Sequence, residues 1–411
     1  MRTGRLAVML LTLASAASPA APAQALAPRG PAPIVILISV DGFRADYLDS
    51  LPLPNLRALA RGGVRARWMV SVFPTLTFPN HYTIATGLYP AHHGLVNNTF
   101  VDPSDGARFR YTDTAAVGQS RWWGGEPIWV TAIRQGRRAA SMFWVGSEAE
   151  IDGVRPTFWK RFDGAMPGAA RVDTVLTWLA LPDSLRPSLV TLYFQSVDHE
   201  GHESGPLSPA VDRAADSVDQ WIGRLRQGLE RLGLAGRTDI IVVSDHGMAP
   251  ISPQRQVVLD DYVDRDSVDV LNLGAFIFLA PRGGANADSI VARLSRAPHA
   301  HVFTRDHTPE RWHYSGNPRI APIVGVMDAG WSLTTRADLA RRRGPRGGNH
   351  GFDDADPTMR ATFIAAGPAF RQGVVVAPFR NIHVYDLLCR LLDLTPAPND
   401  GSPDSTAMML R

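Results

Sequence analysis

Thiols are all but absent from this sequence: Cys389 is the single cysteine among 411 residues. That excludes an internal disulfide, a thiolate zinc site and a dithiol redox pair. Cys389 falls in the apolar helical pattern NIHVYDLLCRLLDL, where a buried core thiol is the plain reading. Lysine is as scarce, since of 42 basic residues only Lys160 is a lysine. The arginine excess reads mainly as genome composition, with phosphate recognition a weaker second reading. Charge of one sign is also missing: 42 basic against 39 acidic residues leave a net +3. Composition therefore signals no nucleic-acid-binding surface. Beyond the leader no run reaches the roughly 18 uninterrupted apolar residues of a membrane span, and no lipobox cysteine is present. What remains is 45% apolar and 20% charged, enough for a full core and unlike a disordered chain. The length suits one large α/β domain or two modest ones.

The first segment reads as a leader. Arg2 and Arg5 precede LAVMLLTLASAA, and Ala23-Gln24-Ala25 offers a small-x-small cleavage site. We expect a signal peptide over residues 1–25, a soluble mature chain over 26–411, and a periplasmic or secreted destination. Continuous apolar runs then alternate with amphipathic stretches, the pattern of a mostly parallel central sheet with helices on both faces. Buried strands are predicted at IVILISV (34–40), SLVTLYFQS (188–196), IIVVS (240–244) and ATFIAAG (361–367), and helices over 44–61, 208–232, 286–296 and 381–394. Residues 248–345, rich in Pro, Arg and short strand-like pieces, read as an inserted cap and not as a separate domain.

Chemistry concentrates where the strands end. Asp41 closes the first strand, Asp198 follows the second in DHEGH, and Asp245-His246 follow the third in SDHGM. His350 lies in GGNHGFDD. Ligands of open α/β sheets bind beyond the carboxyl ends of the strands. Asp and His together suit zinc or manganese. One such Asp would pass as a turn or helix cap; three strand ends, two with histidines nearby, point to a metal cluster. Thr77, before Phe78-Pro79, can open a helix as nucleophile or as N-cap, and the spacing does not separate the two. Asn97-Asn98-Thr99 matches a glycosylation sequon that chance also supplies.

The strings ISVDGFRADYL, TLTFPNHYTIATGLYPAHHGLVNN, GEPIWVTA, FQSVDHEGHESGP, VVSDHGM and GGNHGFDD stand in the order seen in the nucleotide pyrophosphatase/phosphodiesterase family. That family belongs to the alkaline phosphatase superfamily. The chain resembles its bacterial single-domain members along nearly all of the mature length, most weakly over 248–345. The resemblance implies two zinc ions. Asp198, His202 and His350 match the ligands of one; Asp41, Asp245 and His246 match those of the other, with Thr77 facing it as nucleophile. Asn98 matches an asparagine whose amide meets a nonbridging phosphoryl oxygen. Phe78 and Tyr193 match an aromatic pair that sandwiches a nucleobase, while Trp144, Phe162 and Lys160 fall at other substrate-pocket positions. Phe162 stands where tyrosine is common and Glu148 where aspartate is, which leaves base preference open. His199 and Glu200 have no assigned role, and the arginines at 341–343 and 346 read as a solvated loop.

The implied activity is hydrolysis of nucleotide 5′-phosphodiester and pyrophosphate bonds through a phosphothreonine intermediate, releasing nucleoside 5′-monophosphates. A small-molecule nucleotide or phosphodiester is the expected partner; oligomeric state is not readable. Two alternatives are a phosphomonoesterase of the same superfamily and a lipid or choline phosphodiesterase. The first needs extra cations for a dianion, and residues 71–100 contain neither Lys nor Arg. The second would replace the base slot by an apolar or cation-binding aromatic pocket. A binding protein that has lost the chemistry should lack a ligand, and none is missing.

Overall fold

Six apolar residues and Ser39, Ile34–Val40, form strand β1, and all seven are buried. Side chains of a strand alternate between faces, and β1 feeds two cores in that way. Ile34, Ile36, Ile38 and Val40 join one apolar cluster, Val35 and Leu37 the other. The computed structural model describes residues 33–341 and 347–411. The expected leader and Arg342, Arg343 and Arg346 lie outside the described residues.

After β1 come α1 (Pro54–Gly62), β2 (Val64–Ala66), α2 (Thr77–Thr86), β3 (Ala139–Met142), β4 (Phe158–Lys160) and α3 (Gly168–Leu179). Then follow β5 (Leu189–Phe194), α4 (Ser196–Ser204), α5 (Pro209–Arg231) and β6 (Thr238–Val243). A second group consists of β7 (Val268–Asn272), β8 (Phe276–Pro281), α6 (Ala287–Leu294), β9 (Ala300–Thr304) and β10 (Ile323–Met327). The chain returns with β11 (Phe363–Ala366), β12 (Val374–Val376) and α7 (Val384–Leu392).

The eight-stranded sheet runs β12-β2-β11-β6-β1-β5-β3-β4. From β6 to β4 every pairing is parallel; β11 runs antiparallel to β6 and β2. Val172 and Val175 of α3, Leu56 and Leu59 of α1, and Val218, Ile222 and Leu225 of α5 cover one face. Tyr82 and Ile84 of α2 and Val384, Leu387 and Leu388 of α7 cover the other. The expected mostly parallel sheet between helices is the observed fold. Cys389 is buried in α7.

The helix expected over 44–61 is broken. Tyr47–Ser50 makes one turn, and α1 starts afresh with Pro54 in its first turn. Proline cannot supply a helical N–H and pushes its predecessor out of the helical region. Leu51, before Pro52, is accordingly extended at φ −101° and ψ 150°. Within 248–345, β7, β8, β10 and β9 build a four-stranded antiparallel sheet in that order. Ile277, Leu279 and Ile323 pack with Ile290 and Leu294 of α6, whereas Phe276, Phe278, Val324 and Val326 of the same strands enter the main core. No helix of the described residues is long and apolar enough to cross a membrane.

His93, fully buried, holds the turn after α2: its Nδ1 accepts the Leu95 N–H at 3.1 Å, and its Nε2 lies 3.1 Å from Thr83 Oγ1. Burial pushes this imidazole from 6.5 down to about 3. Below pH 6.5 the unfolded chain takes up a proton that the folded chain refuses, so stability drains away as pH falls from there toward 3. His93→Gln should therefore lose less stability than the parent between pH 7 and 4, measured as urea midpoints; equal losses would show that His93 does not set the acid limit.

Candidate active site

Three parallel neighbours, β5, β1 and β6, end side by side, and each end delivers an acid. Asp41 follows β1, Asp198 lies in the first turn of α4 after β5, and Asp245 follows β6. Asp198 and His202 stand one helical turn apart on one stripe of α4. His246 arrives beside Asp245. His350 comes from far along the chain, steered by pairing of Gly348–Asn349 with Ala249–Pro250 just after SDHGM. Gly347 and Gly348 make that approach possible. A Cβ at Gly347 (φ +78°) would lie 2.0 Å from the His202 carbonyl oxygen, and one at Gly348 would lie 2.8 Å from that of Gly201.

The six side chains form two groups of donors, Asp41 with Asp245 and His246, and Asp198 with His202 and His350. Each imidazole is held the same way. Nδ1 of His202 meets the Gly348 carbonyl oxygen at 3.0 Å, that of His246 the Gly247 oxygen at 2.9 Å, and that of His350 the Thr75 oxygen at 2.9 Å. A carbonyl only accepts, so each Nδ1 carries a proton and Nε2 is the nitrogen left to ligate. Those Nε2 atoms face acids: His202 to Asp198 Oδ1 is 3.4 Å, His350 to the same oxygen 3.7 Å, and His246 to Asp41 Oδ1 3.5 Å. Asp41 Oδ1, Asp198 Oδ1 and Asp245 Oδ2 are buried without any hydrogen-bond partner. Backbone-anchored histidines around unsatisfied carboxylate oxygens are the donor set of a metal centre. The residues fit two divalent cations.

The charges agree. Burial, and then the neighbouring Asp245 and Asp198, hold the Asp41 carboxyl well above its ordinary range. Burial also raises Asp198. At Asp245 burial acts upward but His246 and His81 together outweigh it, and this carboxyl sits well below its usual range. Burial and the nearby His246 and His202 keep His350 neutral. Buried acids of this kind need a compensating positive charge.

Thr77 is the first residue of α2 and Leu76 its N-cap, with no side-chain cap bond. The Thr77 hydroxyl lies 3.3 Å from His246 Nε2, so the simple capping role has no support. Asn98 Oδ1 accepts the Phe78 backbone N–H at 3.0 Å.

The substrate pocket needs correction. Trp144 is 1% exposed and donates its indole N–H to the His81 carbonyl, which leaves no face for a substrate. Tyr193, expected to stack on a base with Phe78, is 8% exposed and gives its hydroxyl to Asp41 Oδ2 at 2.5 Å. Its register opposite Ser39 of β1 puts it there. The open aromatic is Phe162, 46% exposed, whose backbone N–H is held by Glu148 at 2.7 Å. Phe78 is half-buried, and its ring meets Tyr111, 50% exposed, at 5.6 Å. Lys160 is exposed at the end of β4. Asn97 is fully buried, which removes the sequon. Ser39, His81 and Tyr111 were not singled out from sequence; for His81 the i, i+4 spacing from Thr77 was the available signal.

A family model described as type I phosphodiesterase / nucleotide pyrophosphatase matches residues 35–353. An uncharacterised pyrophosphatase/phosphodiesterase of Schizosaccharomyces pombe is 40% identical over 394 residues, 92% of this chain and 80% of that protein. Mouse ectonucleotide pyrophosphatase/phosphodiesterase family member 3 is 39% identical over 92% of this chain but only 44% of its own length. A venom phosphodiesterase of Crotalus durissus collilineatus is 38% identical over 92% and 46%. The chain thus spans less than half of these two animal relatives. Among solved structures, an inactive threonine-to-alanine form of murine ectonucleotide pyrophosphatase/phosphodiesterase 5, in complex with AMP, superimposes with a TM-score of 0.87 at 33% identity, covering 92% of this chain and all of that one.

Elemental analysis of the purified protein should find about two divalent ions per chain. His350→Ala should retain about one, because it removes one of three donors from a single group. Two ions bound to His350→Ala as tightly as to the parent would contradict the grouping.

Proposed function

We propose, from the premise that this chain belongs to the type I phosphodiesterase / nucleotide pyrophosphatase family of enzymes, that it hydrolyses nucleotide 5′-phosphodiester and pyrophosphate bonds and releases nucleoside 5′-monophosphates. The observation that carries this reading is the set of three partnerless carboxylate oxygens and three anchored imidazoles beside the Thr77 hydroxyl. Asp and His donors without thiolates favour zinc, with one ion at Asp41, Asp245 and His246 and the other at Asp198, His202 and His350. Such ions, when bound, act as Lewis acids that acidify hydroxyl groups and offset charge on phosphoryl oxygens.

The chain's own residues do the rest. Thr77 Oγ1 gives up its proton to solvent and adds to phosphorus, and the leaving group departs with the electron pair of its P–O bond. The nucleotidyl group is then esterified to Thr77 until water releases it. Asn98, fixed through Oδ1, turns its amide protons toward a nonbridging oxygen, where they stabilise charge that grows in the transition state. Tyr193 steadies Asp41 through their short hydrogen bond. Phe162 and Phe78, with Tyr111 behind the latter, offer aromatic surface to a base, and stacking accepts any base. The leader supports export to the periplasm or outside the cell.

Thr77→Ala should lower turnover by orders of magnitude with metal content unchanged; near-normal turnover would end the nucleophile assignment. p-Nitrophenyl thymidine 5′-monophosphate should be cleaved with far higher kcat/KM than p-nitrophenyl phosphate, and the reverse order would favour a phosphomonoesterase. Phe162→Ala should cost about 5- to 150-fold on the nucleotide, equivalent to about 1–3 kcal/mol of stacking, and little on bis(p-nitrophenyl) phosphate. Equal losses on both would remove Phe162 from the base slot.

A further inference from the structure

His81 is wholly buried, yet no part of the proposed chemistry uses it. It stands one helical turn after Thr77 on α2. Its Nδ1 lies 2.9 Å from the Thr77 carbonyl oxygen, so the proton resides on that nitrogen. Its Nε2 lies 2.8 Å from Ser39 Oγ, and in the Nδ1–H tautomer it accepts the serine O–H. Ser39 is on β1, two residues before Asp41. Asp245 Oδ2 lies 3.3 Å from Nδ1, within ion-pair distance though without hydrogen-bond alignment. One imidazole therefore touches the nucleophile's main chain, the strand that ends in Asp41, and the side chain of Asp245.

The ring cannot turn away. Trp144 and Tyr193 press their edges or faces against it at centroid distances of 5.3 and 5.1 Å, with interplanar angles of 75° and 84°. The Trp144 indole N–H holds the His81 carbonyl at 3.1 Å. Tyr193, in turn, is pinned by Asp41. Each neighbour that confines the imidazole is itself tied to the site.

We infer that His81 is a positioning residue for phosphoryl transfer: through its Nδ1–H it locks the first turn of α2 so that the Thr77 hydroxyl stays at His246 and in line for attack, and Ser39 fixes the tautomer that makes this possible. The inference rests on Thr77 being the nucleophile. A catalytic oxygen displaced by a fraction of an ångström loses much of its rate advantage while substrate still binds. The effect should fall on kcat and spare KM.

Two replacements separate positioning from filling space. The amide nitrogen of asparagine occupies the place of Nδ1, whereas that of glutamine reaches toward Nε2. His81→Asn should keep kcat within a few-fold of the parent, while His81→Gln, closer in volume, should lose about 10- to 100-fold with KM nearly unchanged, a typical cost of removing an orienting partner. A merely structural histidine would tolerate Gln at least as well as Asn, and that ranking would overturn the inference. Should His81→Gln fail to fold, Ser39→Ala carries the test. It leaves the imidazole but frees its tautomer, and should lower kcat several-fold at unchanged KM and melting temperature; parental kcat would overturn the inference. Thr77→Ala, assayed alongside, keeps the two ideas apart. If it is dead while the Asn and Gln variants are equal, only the positioning role falls. If it is active, the nucleophile assignment falls first.

Discussion

Three like charges brought together in a dry place constrain everything else in this molecule. Asp41, Asp198 and Asp245 converge at the ends of three adjacent strands, and each keeps one buried oxygen without a hydrogen bond. The imidazoles that surround them are held at Nδ1 by backbone carbonyls, with Nε2 toward the acids. Such a cluster persists in a folded protein when cations complete it. The glycines at 347 and 348 and the pairing that carries His350 across place donors around those oxygens, and the Tyr193 hydroxyl holds the other oxygen of Asp41.

The fold supplies the rigidity that this arrangement requires. Because β1 sends alternate side chains into two separate cores, neither face of the central strand is free to shift. Strand register then becomes site geometry. Ser39 opposite Tyr193, with Asp41 two residues on, converts backbone pairing into the placement of a hydroxyl on a carboxylate. The small sheet over 268–327 shares one apolar face with the main core and keeps the other for α6.

The legible parts of this protein were those written in local sequence. Apolar runs that end in Asp declared both strand and acid, and GGNHG carried a further histidine. All six candidate ligands and Thr77 could be named from such strings. The helix over 44–61 was misread because apolar periodicity continues across Pro52 and Pro54, where the backbone cannot follow. Trp144 and Tyr193 were misread for a different reason. An aromatic side chain looks alike in sequence whether it faces solvent or core, and only cross-strand register decides that Tyr193 reaches Asp41 and leaves Phe162 in the open. His81 escaped notice because its meaning lies in three partners, two of them distant along the chain.

Positive charge among the three acids can be located by anomalous X-ray scattering from crystals grown with zinc. Data collected on both sides of the zinc edge should give two strong peaks per chain. One should lie among Asp41 Oδ1, Asp245 Oδ2 and His246 Nε2, and the other among Asp198 Oδ1, His202 Nε2 and His350 Nε2. A single peak, or peaks that leave any of the three carboxylate oxygens still without a partner, would contradict the two-cation site.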